Sequence, residues 1–302
     1  MQDNQSRPKG CASKKREHHC ARPVPGRHPP STVFFAISFL LDMDAEPSPQ
    51  PASLPVQPLA SRPDALLCWG GTAPTRKAKA ETLTDHLFRV GAIDIRPHDF
   101  FVFPRGFTTP AYCDLRLAQS DVAARTYIAD RLADAVRVRF LKNDGAVRGG
   151  AAAAQAPLTI VGVATGGIAY ATSVADRLGL PLAYVRSAPK DHGQERRVEG
   201  HLPAGSRCVV IDDVLGSGSA ARAAVEALTQ HGAVVVGVCA VFSYDFDTLV
   251  ANVAAAGVPF VRLVDFGLAI ERAQANGFID AAGAATVAAW YASKATWKKP
   301  SA

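Results

Sequence analysis

From residue 158 to about residue 292 the chain alternates two kinds of segment. Short runs rich in Val and Ile fall at 158–163, 182–185, 209–211, 234–242 and 260–264. Such runs are too short and too β-branched for helices, and their unbroken apolar character predicts strands buried on both faces. Between them the spacing predicts helices at about 168–178, 219–230, 247–256 and 266–276, with a last one over 282–292. Alternation of this kind predicts an α/β fold, a parallel sheet flanked by helices, with any site at the carboxyl ends of the strands.

The segment before residue 158 has a different rhythm. Residues 79–90 read as a first helix with Leu83, Leu87 and Val90 on one face, and 122–140 as a longer one with Ile128, Leu132 and Val136 in register. Between them FFVFPRGFTTPAYCDLR, residues 100–116, reads as two short extended pieces joined by a turn at 104–106. Residues 144–156 are a loose Gly-Ala segment. Residues 46–63 carry Pro47, Pro49, Pro51, Pro55, Pro58 and Pro63 and can form neither helix nor sheet interior, which makes them a linker. Residues 1–31 are basic and polar without an apolar period, the composition of a disordered extension. The resulting division is 1–76 for extension and linker, 77–292 for the folded domain with residues 100–116 in a small N-terminal hood, and 293–302 for a short basic tail.

The apolar run 32–41 is far too short to span a bilayer, and no small-x-small cleavage site follows it, so neither export nor membrane insertion is expected. Met43 is the only methionine after Met1, and we expect synthesis to begin there. Peptides covering residues 1–42 in the native protein would refute this.

Composition changes the picture in two places. Of the 302 residues 48% are hydrophobic, enough for a substantial core. The formal net charge of +6 could suggest nucleic acid, but residues 1–43 hold seven Lys or Arg against three acids, so four of the six excess charges lie there. The folded part is close to neutral, and no nucleic-acid partner is expected. The six cysteines are too few and scattered for a disulfide framework, and a reducing cytoplasm is the natural setting. Cys208 and Cys239 fall in strands as small apolar residues. Cys11, Cys20, His18 and His19 match no standard metal spacing.

The chemistry concentrates in RCVVIDDVLGSGSA, residues 207–220. An apolar strand leads to Asp212 and Asp213, then a loop of small residues, Gly216, Ser217, Gly218 and Ser219, and then a helix from Ala220. Such a loop can turn its N–H groups inward, and the helix behind it presents a positive dipole end, a unit suited to phosphate. Strand, two acids, turn and helix also occur in many other α/β proteins. VGVATGGIAYA, residues 161–171, is a second strand-to-helix loop, where Thr165, Gly166 and Gly167 allow close backbone approach to an anion; a turn chosen for packing would read the same. Neither a Walker A sequence nor a G-x-G-x-x-G fingerprint occurs. The loop YVRSAPKDHGQERRVEG, residues 184–200, gathers Lys190, His192, Arg196 and Arg197 beside Gly193, which alone could be a solvated charged loop.

Residues 207–220 resemble the phosphoribosyl-pyrophosphate (PRPP) signature of the type I phosphoribosyltransferases. Arg186, Lys190, His192 and Gly193 match the R-x-x-x-K-x-H-G pattern of the catalytic loop of the orotate phosphoribosyltransferases within that group. Thr109, Pro110, Tyr112 and Asp114 match the hood segment, usually S-G-x-x-S-P-x-Y-x-D, and residues 240–246 and 256–270 read like the family's C-terminal part. The resemblance covers about residues 77–292. It departs at Thr108 and Ser187, where many members carry Lys, at Gly216, where Thr is common, and at Ala220, where Ser or Thr is.

The resemblance implies the type I phosphoribosyltransferase fold and transfer of 5-phosphoribosyl from PRPP to orotate, giving orotidine 5′-monophosphate and pyrophosphate. It implies that Asp212 and Asp213 take the ribose hydroxyls and that Val214, Leu215, Gly216, Ser217, Gly218, Ser219 and Ala220 surround the 5′-phosphate. It also implies that Arg186, Lys190 and His192 meet the pyrophosphate, that Thr165, Gly166, Gly167 and Ser187 belong to the same PRPP site, and that Lys190, His192 and Asp213 take part in the chemistry. Magnesium is expected, held mainly by the substrate and in part by Asp212 and Asp213. For orotate the resemblance suggests Gly216 and Tyr112, with Arg222 as a candidate for the carboxylate, since Ser243, Tyr244 and Asp245 stand where an Arg is expected. A homodimer is implied, with the loop 190–197 acting on the neighbouring subunit. Two other readings remain open: transfer to another base, and a PRPP-sensing regulator that has lost catalysis.

Overall fold

A computed structural model describes residues 72–102, 108–141, 158–187 and 197–292. The N-terminal extension with its Cys and His residues, the proline-rich linker, Met43, the turn at 104–106, the Gly-Ala segment, Lys190, His192 and the C-terminal tail lie outside the described residues.

Six strands form the central sheet: β5 (Leu158–Val163), β6 (Leu182–Val185), β7 (Val198–Glu199), β8 (Arg207–Leu215), β9 (Val234–Ser243) and β10 (Phe260–Asp265). Their order is β10-β9-β8-β5-β6-β7, parallel throughout except for β7, which pairs antiparallel with β6 at the edge. Between and after them run α3 (Gly166–Leu178), α4 (Ser219–Gln230), α5 (Asp247–Ala256), α6 (Phe266–Ala275) and α7 (Ala281–Ala292). Ahead of the sheet come α1 (Ala73–Arg89) and α2 (Val122–Val136), with four short strands between them. Of these, β1 (Ile93–Ile95) pairs with β4 (Ala111–Cys113), and β2 (Phe101–Val102) with β3 (Thr108–Thr109).

Because side chains alternate along a strand, β8 feeds two cores. Val209 and Ile211 join the cluster that also holds Ile128, Leu132 and Tyr170, whereas Cys208 and Val210 join the one holding Ala221, Val225, Leu228 and Leu249. The same alternation puts Asp213 on the first face, against the start of α3. Burial raises the Cys208 thiol to about 12, as suits a small core residue.

The expected elements are present, and four differ in extent. The strand expected to end at Ile211 runs to Leu215, carrying both acids within it: Asp212 pairs with Ala240, Val214 with Phe242 and Leu215 with Ser243. The long β9 supplies partners that override the weak strand preference of Asp. The first helix starts at Ala73, with Pro74 in its first turn, where a missing N–H costs nothing. The helix α2 is capped by Asp121, whose carboxylate accepts from Ala124 N at 2.7 Å, and at Val136 it passes into a π-helical turn, Arg137–Leu141. The helix α3 starts at Gly166, two residues before its expected beginning. The strands β1 and β7, of three and two residues, leave no readable period.

Candidate active site

The acids of β8 sit in a nearly closed environment. Asp212 is buried, and its Oδ1 accepts from Asp213 N at 2.9 Å; Asp213 Oδ1 accepts from Val214 N at 2.9 Å. Burial pushes the Asp212 carboxyl well above the ordinary carboxylate range, and the neighbouring charge of Asp213 adds to it. Asp213 is raised too, again by burial, against the opposing pull of the Val214 N–H.

Asp213 lies against the loop that opens α3. A methyl group on Gly166 would overlap the Asp213 carboxylate, and one on Gly167 would overlap the carbonyl oxygen of Ile211. Both glycines are therefore required by close approach of the loop to β8. Thr165 is exposed beside them, and the Ala164-Thr165 peptide bond is cis. Strand β5 closes the packing: a methyl on Gly162 would stand 2.9 Å from Ile168 Cα. The loop that opens α3 thus meets β8 at Ile211 and Asp213.

The second loop, 216–219, caps α4. Gly218 has φ +80, and a Cβ there would stand 2.5 Å from Leu249 Cδ1. Ser217 is buried; its hydroxyl lies 3.0 Å from that of Ser219 and accepts from Ser219 N at 3.3 Å, while its carbonyl accepts from Asn252 Nδ2 at 2.9 Å. The loop is held in shape by its own hydroxyls and by α5, with the N-terminus of α4 behind it.

The hood completes the surround. Tyr170, one helical turn beyond Gly166, donates its hydroxyl to Leu115 O at 2.6 Å, and Tyr244 at the end of β9 is within hydrogen-bond reach of the Cys113 backbone. Burial raises the Cys113 thiol and the Tyr170 phenol, and the charge of Asp213 raises both further, which places that acid close to each. Arg116 follows Leu115 and holds Asp114 through Nε to Oδ1 at 2.6 Å and Nη2 to Oδ2 at 2.8 Å. The guanidinium is held charged above its usual range by Asp114 first, with a contribution from Asp213.

Comparison with known proteins agrees with this geometry. Residues 147–259 match the phosphoribosyl transferase domain. The orotate phosphoribosyltransferase of Cutibacterium acnes is 36% identical over 223 residues, which cover 74% of this chain and 97% of that protein. That of Porphyromonas gingivalis is 37% identical, covering 73% of this chain and 99% of the relative. The crystal structure of orotate phosphoribosyltransferase from Aeropyrum pernix superposes with a TM-score of 0.51 at 28% identity, covering 66% of this chain and 99% of that one. The chain belongs to the orotate phosphoribosyltransferase family. Its fold is that of the type I phosphoribosyltransferases, and members of this family are pentosyltransferases.

Within that family frame, the remaining residues singled out in the sequence fall as follows. Asp212, Asp213, Thr165, Gly166, Gly167 and the run from Val214 to Ala220 gather around the carboxyl ends of β5 and β8. Arg186 and Ser187 stand just after β6. The backbone clasps the base of the loop: Arg186 N donates to Arg197 O at 2.9 Å, and Arg197 Nε to Arg186 O at 3.1 Å. Arg186 Nη1 lies 3.7 Å from Glu199. Lys190 and His192 belong to 188–196, outside the described residues. Tyr112 is half-buried on the hood, its ring 5.7 Å from that of Phe101. Arg222 lies one turn into α4, with Nε 3.6 Å from Glu226.

Sequence reading missed Tyr170, Cys113 and Arg116. Tyr170 had a signal, since four residues after Gly166 it shares that helix face. Nothing local marked Cys113 or Arg116 as neighbours of an acid almost a hundred residues away. Among the described residues no three His, Cys, Asp or Glu side chains are grouped to hold a metal, and no helix is long and apolar enough to cross a membrane.

Proposed function

We propose that this protein transfers 5-phosphoribosyl from PRPP to orotate, releasing pyrophosphate and forming orotidine 5′-monophosphate, in the cytoplasmic route to UMP. The observation that carries this reading is the close approach of the glycine-containing loop ahead of α3 to Asp213 on β8, the strand that runs on into the second glycine-containing loop. One loop, 216–219 ahead of α4, suits the 5′-phosphate, and the other, 164–167 ahead of α3, suits the pyrophosphate. The acids between them suit the ribose hydroxyls. The names of the relatives support orotate as the acceptor.

Displacement of pyrophosphate from C1 by a ring nitrogen passes through a state with oxocarbenium character and needs little covalent help. The chain's task is to hold the reactants in line and stabilise charge building on the leaving group. Arg186 stands at the clasped base of its loop, and Lys190 and His192 in the segment it bounds supply further positive charge. In a homodimer that segment would serve the neighbouring subunit.

Two adjacent acids, Asp212 buried and Asp213 half-buried beside it, suit a divalent cation. Magnesium binds through one or two carboxylates plus substrate oxygens rather than a full protein cage, a demand that two acids meet. Asp212 and Asp213 would hold it, and it would neutralise charge on the pyrophosphate and ribose oxygens.

The test is loss of orotate absorbance on incubation with PRPP and magnesium. Turnover of a purine or another pyrimidine in place of orotate would overturn the assignment of the base. PRPP binding without turnover of any base would favour the regulator.

A further inference from the structure

Orotate differs from uracil by a carboxylate that is ionised at neutral pH, so an enzyme that selects it needs a cation on the base side of the ribose. Four described arginines stand near the candidate site. Arg186 lies at the foot of the loop beyond β6, on the pyrophosphate side, and Arg222 is engaged with Glu226 along α4. Arg96 is paired with Asp94, Nη2 to Oδ2 at 2.7 Å, and stacks over the Phe101 ring at 4.3 Å, so its guanidinium is already engaged on both an acid and a ring.

Arg116 is placed differently. Gly166 and Tyr170 lie one turn apart on the same edge of α3; the first abuts Asp213 and the second fixes the carbonyl of Leu115. The peptide leading into Arg116 is therefore pinned to the helix whose first turn abuts the acid. The neighbouring residue Asp114 is tied to the body of the hood through its N–H to Ala92 O at 2.8 Å. Asp114 then fixes the guanidinium plane, accepting from Nε, Nη2 and the Arg116 backbone N–H, the last at 3.1 Å. The Tyr112 hydroxyl is in hydrogen-bond reach of the same side chain. The side chain is 47% exposed, and a guanidinium has more N–H donors than Asp114 and Tyr112 together use, so its Nη1 edge can meet a second carboxylate.

Resting on the proposed transfer to orotate, we infer that Arg116, oriented by Asp114 and Tyr112 on the pinned hood, receives the carboxylate of orotate and sets the preference for that base. Such a role needs no Arg beyond β9, where Tyr244 is buried and Phe246 stacks on it at 5.2 Å.

The experiment compares the full-length enzyme with its Arg116→Gln variant in three measurements: KM for orotate, KM for PRPP, and inhibition by the neutral methyl ester of orotate. Loss of a charged hydrogen-bonded contact predicts an orotate KM raised about 10- to 100-fold. KM for PRPP and inhibition by the ester should each stay within about threefold, because neither molecule presents the carboxylate. Arg116→Lys should recover part of the loss, and Arg96→Gln should leave the orotate KM within about twofold. Should Arg116→Gln fail to fold, Arg116→Lys decides by the same ratio: orotate affected more than its ester. An orotate KM unchanged in the variant, a PRPP KM raised by the same factor, or an equal loss for orotate and its ester would overturn the inference. Wild-type enzyme that does not turn over orotate would instead strike the proposed function, which separates the two failures.

Discussion

Gly166 packs its α-carbon directly against the carboxylate of Asp213, with no room for a methyl group between them. The loop that opens α3 is thereby packed against β8 at the point where the ribose is proposed to sit. The neighbouring Gly167 makes an equally close approach, but to the Ile211 carbonyl of the sheet.

The two glycines should therefore respond differently to alanine. The obstacle at Gly166 is a side chain, which can swing away, so Gly166→Ala should fold and melt near the wild-type temperature. Its acid would be displaced, and a shift of about 1 Å at a reacting centre can cost about 100-fold in rate. We expect kcat/KM for PRPP to fall by about that factor. The obstacle at Gly167 is backbone in the middle of a ladder, so Gly167→Ala should destabilise the fold by about 1–3 kcal/mol. Calorimetric melting beside steady-state kinetics distinguishes them; a Gly166→Ala enzyme with unchanged PRPP kinetics would show that Asp213 does not need its present place.

The buried acids give a pH signature with an unusual sign. Burial raises both carboxyls, and the charge of Asp213 raises Asp212 further, so the folded state holds their protons more tightly than the unfolded chain does. Their stability contribution is intact below the ordinary carboxylate value of about 3.9 and is lost as pH rises through the raised folded values. Asp213→Asn should remove part of this loss and melt about 2–8 °C above wild type near neutral pH, on the basis of about 1–2 kcal/mol. The gain should narrow as pH falls, and transfer activity should be largely lost. A variant no more stable than wild type at neutral pH would show that burial does not penalise the acid.

The sheet and its flanking helices were legible because parallel strands buried on both faces leave unbroken runs such as LTIVGV in β5, and the helices between them keep a clear apolar period. The phosphate loops were legible for a related reason: Gly166, Gly167 and Gly218 stand where no side chain fits, and small residues in a strand-to-helix turn announce that. What did not show was set by pairing at a distance. Asp212 and Asp213 look like a strand terminus until Ala240 and Phe242 are placed beside their strand. Arg116 reads as an ordinary surface arginine until Tyr170 pins the peptide before it.

Lys190 is the strongest candidate for a charge contact made mainly in the transition state. Lys190→Ala should lower kcat by two or more orders of magnitude, about 2.7 kcal/mol, with a much smaller change in KM for PRPP. Single-turnover measurement would confirm that the chemical step is affected. A loss confined to KM would make the loop a binding element alone.

A second pair of acids serves the scaffold. Arg262 on β10 is buried, with Nη2 2.5 Å from Asp245 and 3.4 Å from Asp265, and its Nε and Nη1 have no hydrogen-bond partner among the described residues. Asp245 adopts φ +50 in the turn after β9, which also carries Tyr244. Arg262→Met would leave two carboxylates facing each other without the cation, and the expected cost is about 3–5 kcal/mol. Adding Asp245→Asn should restore part of it. Additive losses in the double variant would mean that the ion pair does not couple the two positions.

Tyr170 links the hood to the helix that follows the loop 164–167, so its hydroxyl should bear on base and sugar unequally. Tyr170→Phe keeps the ring in the core and removes one bond at 2.6 Å, while Leu115 O still accepts from Ala118 N at 3.1 Å. The carbonyl is not orphaned, so the loss of stability should be about 0.5–1.5 kcal/mol, a fall of about 1–6 °C in Tm. The functional effect should be larger than this suggests, because the bond fixes the peptide that leads into Arg116. We expect KM for orotate to rise about three- to tenfold, with KM for PRPP within about twofold, as for a loss confined to base positioning. Equal changes in both constants would mean that Tyr170 steadies the loop at 164–167 rather than the hood.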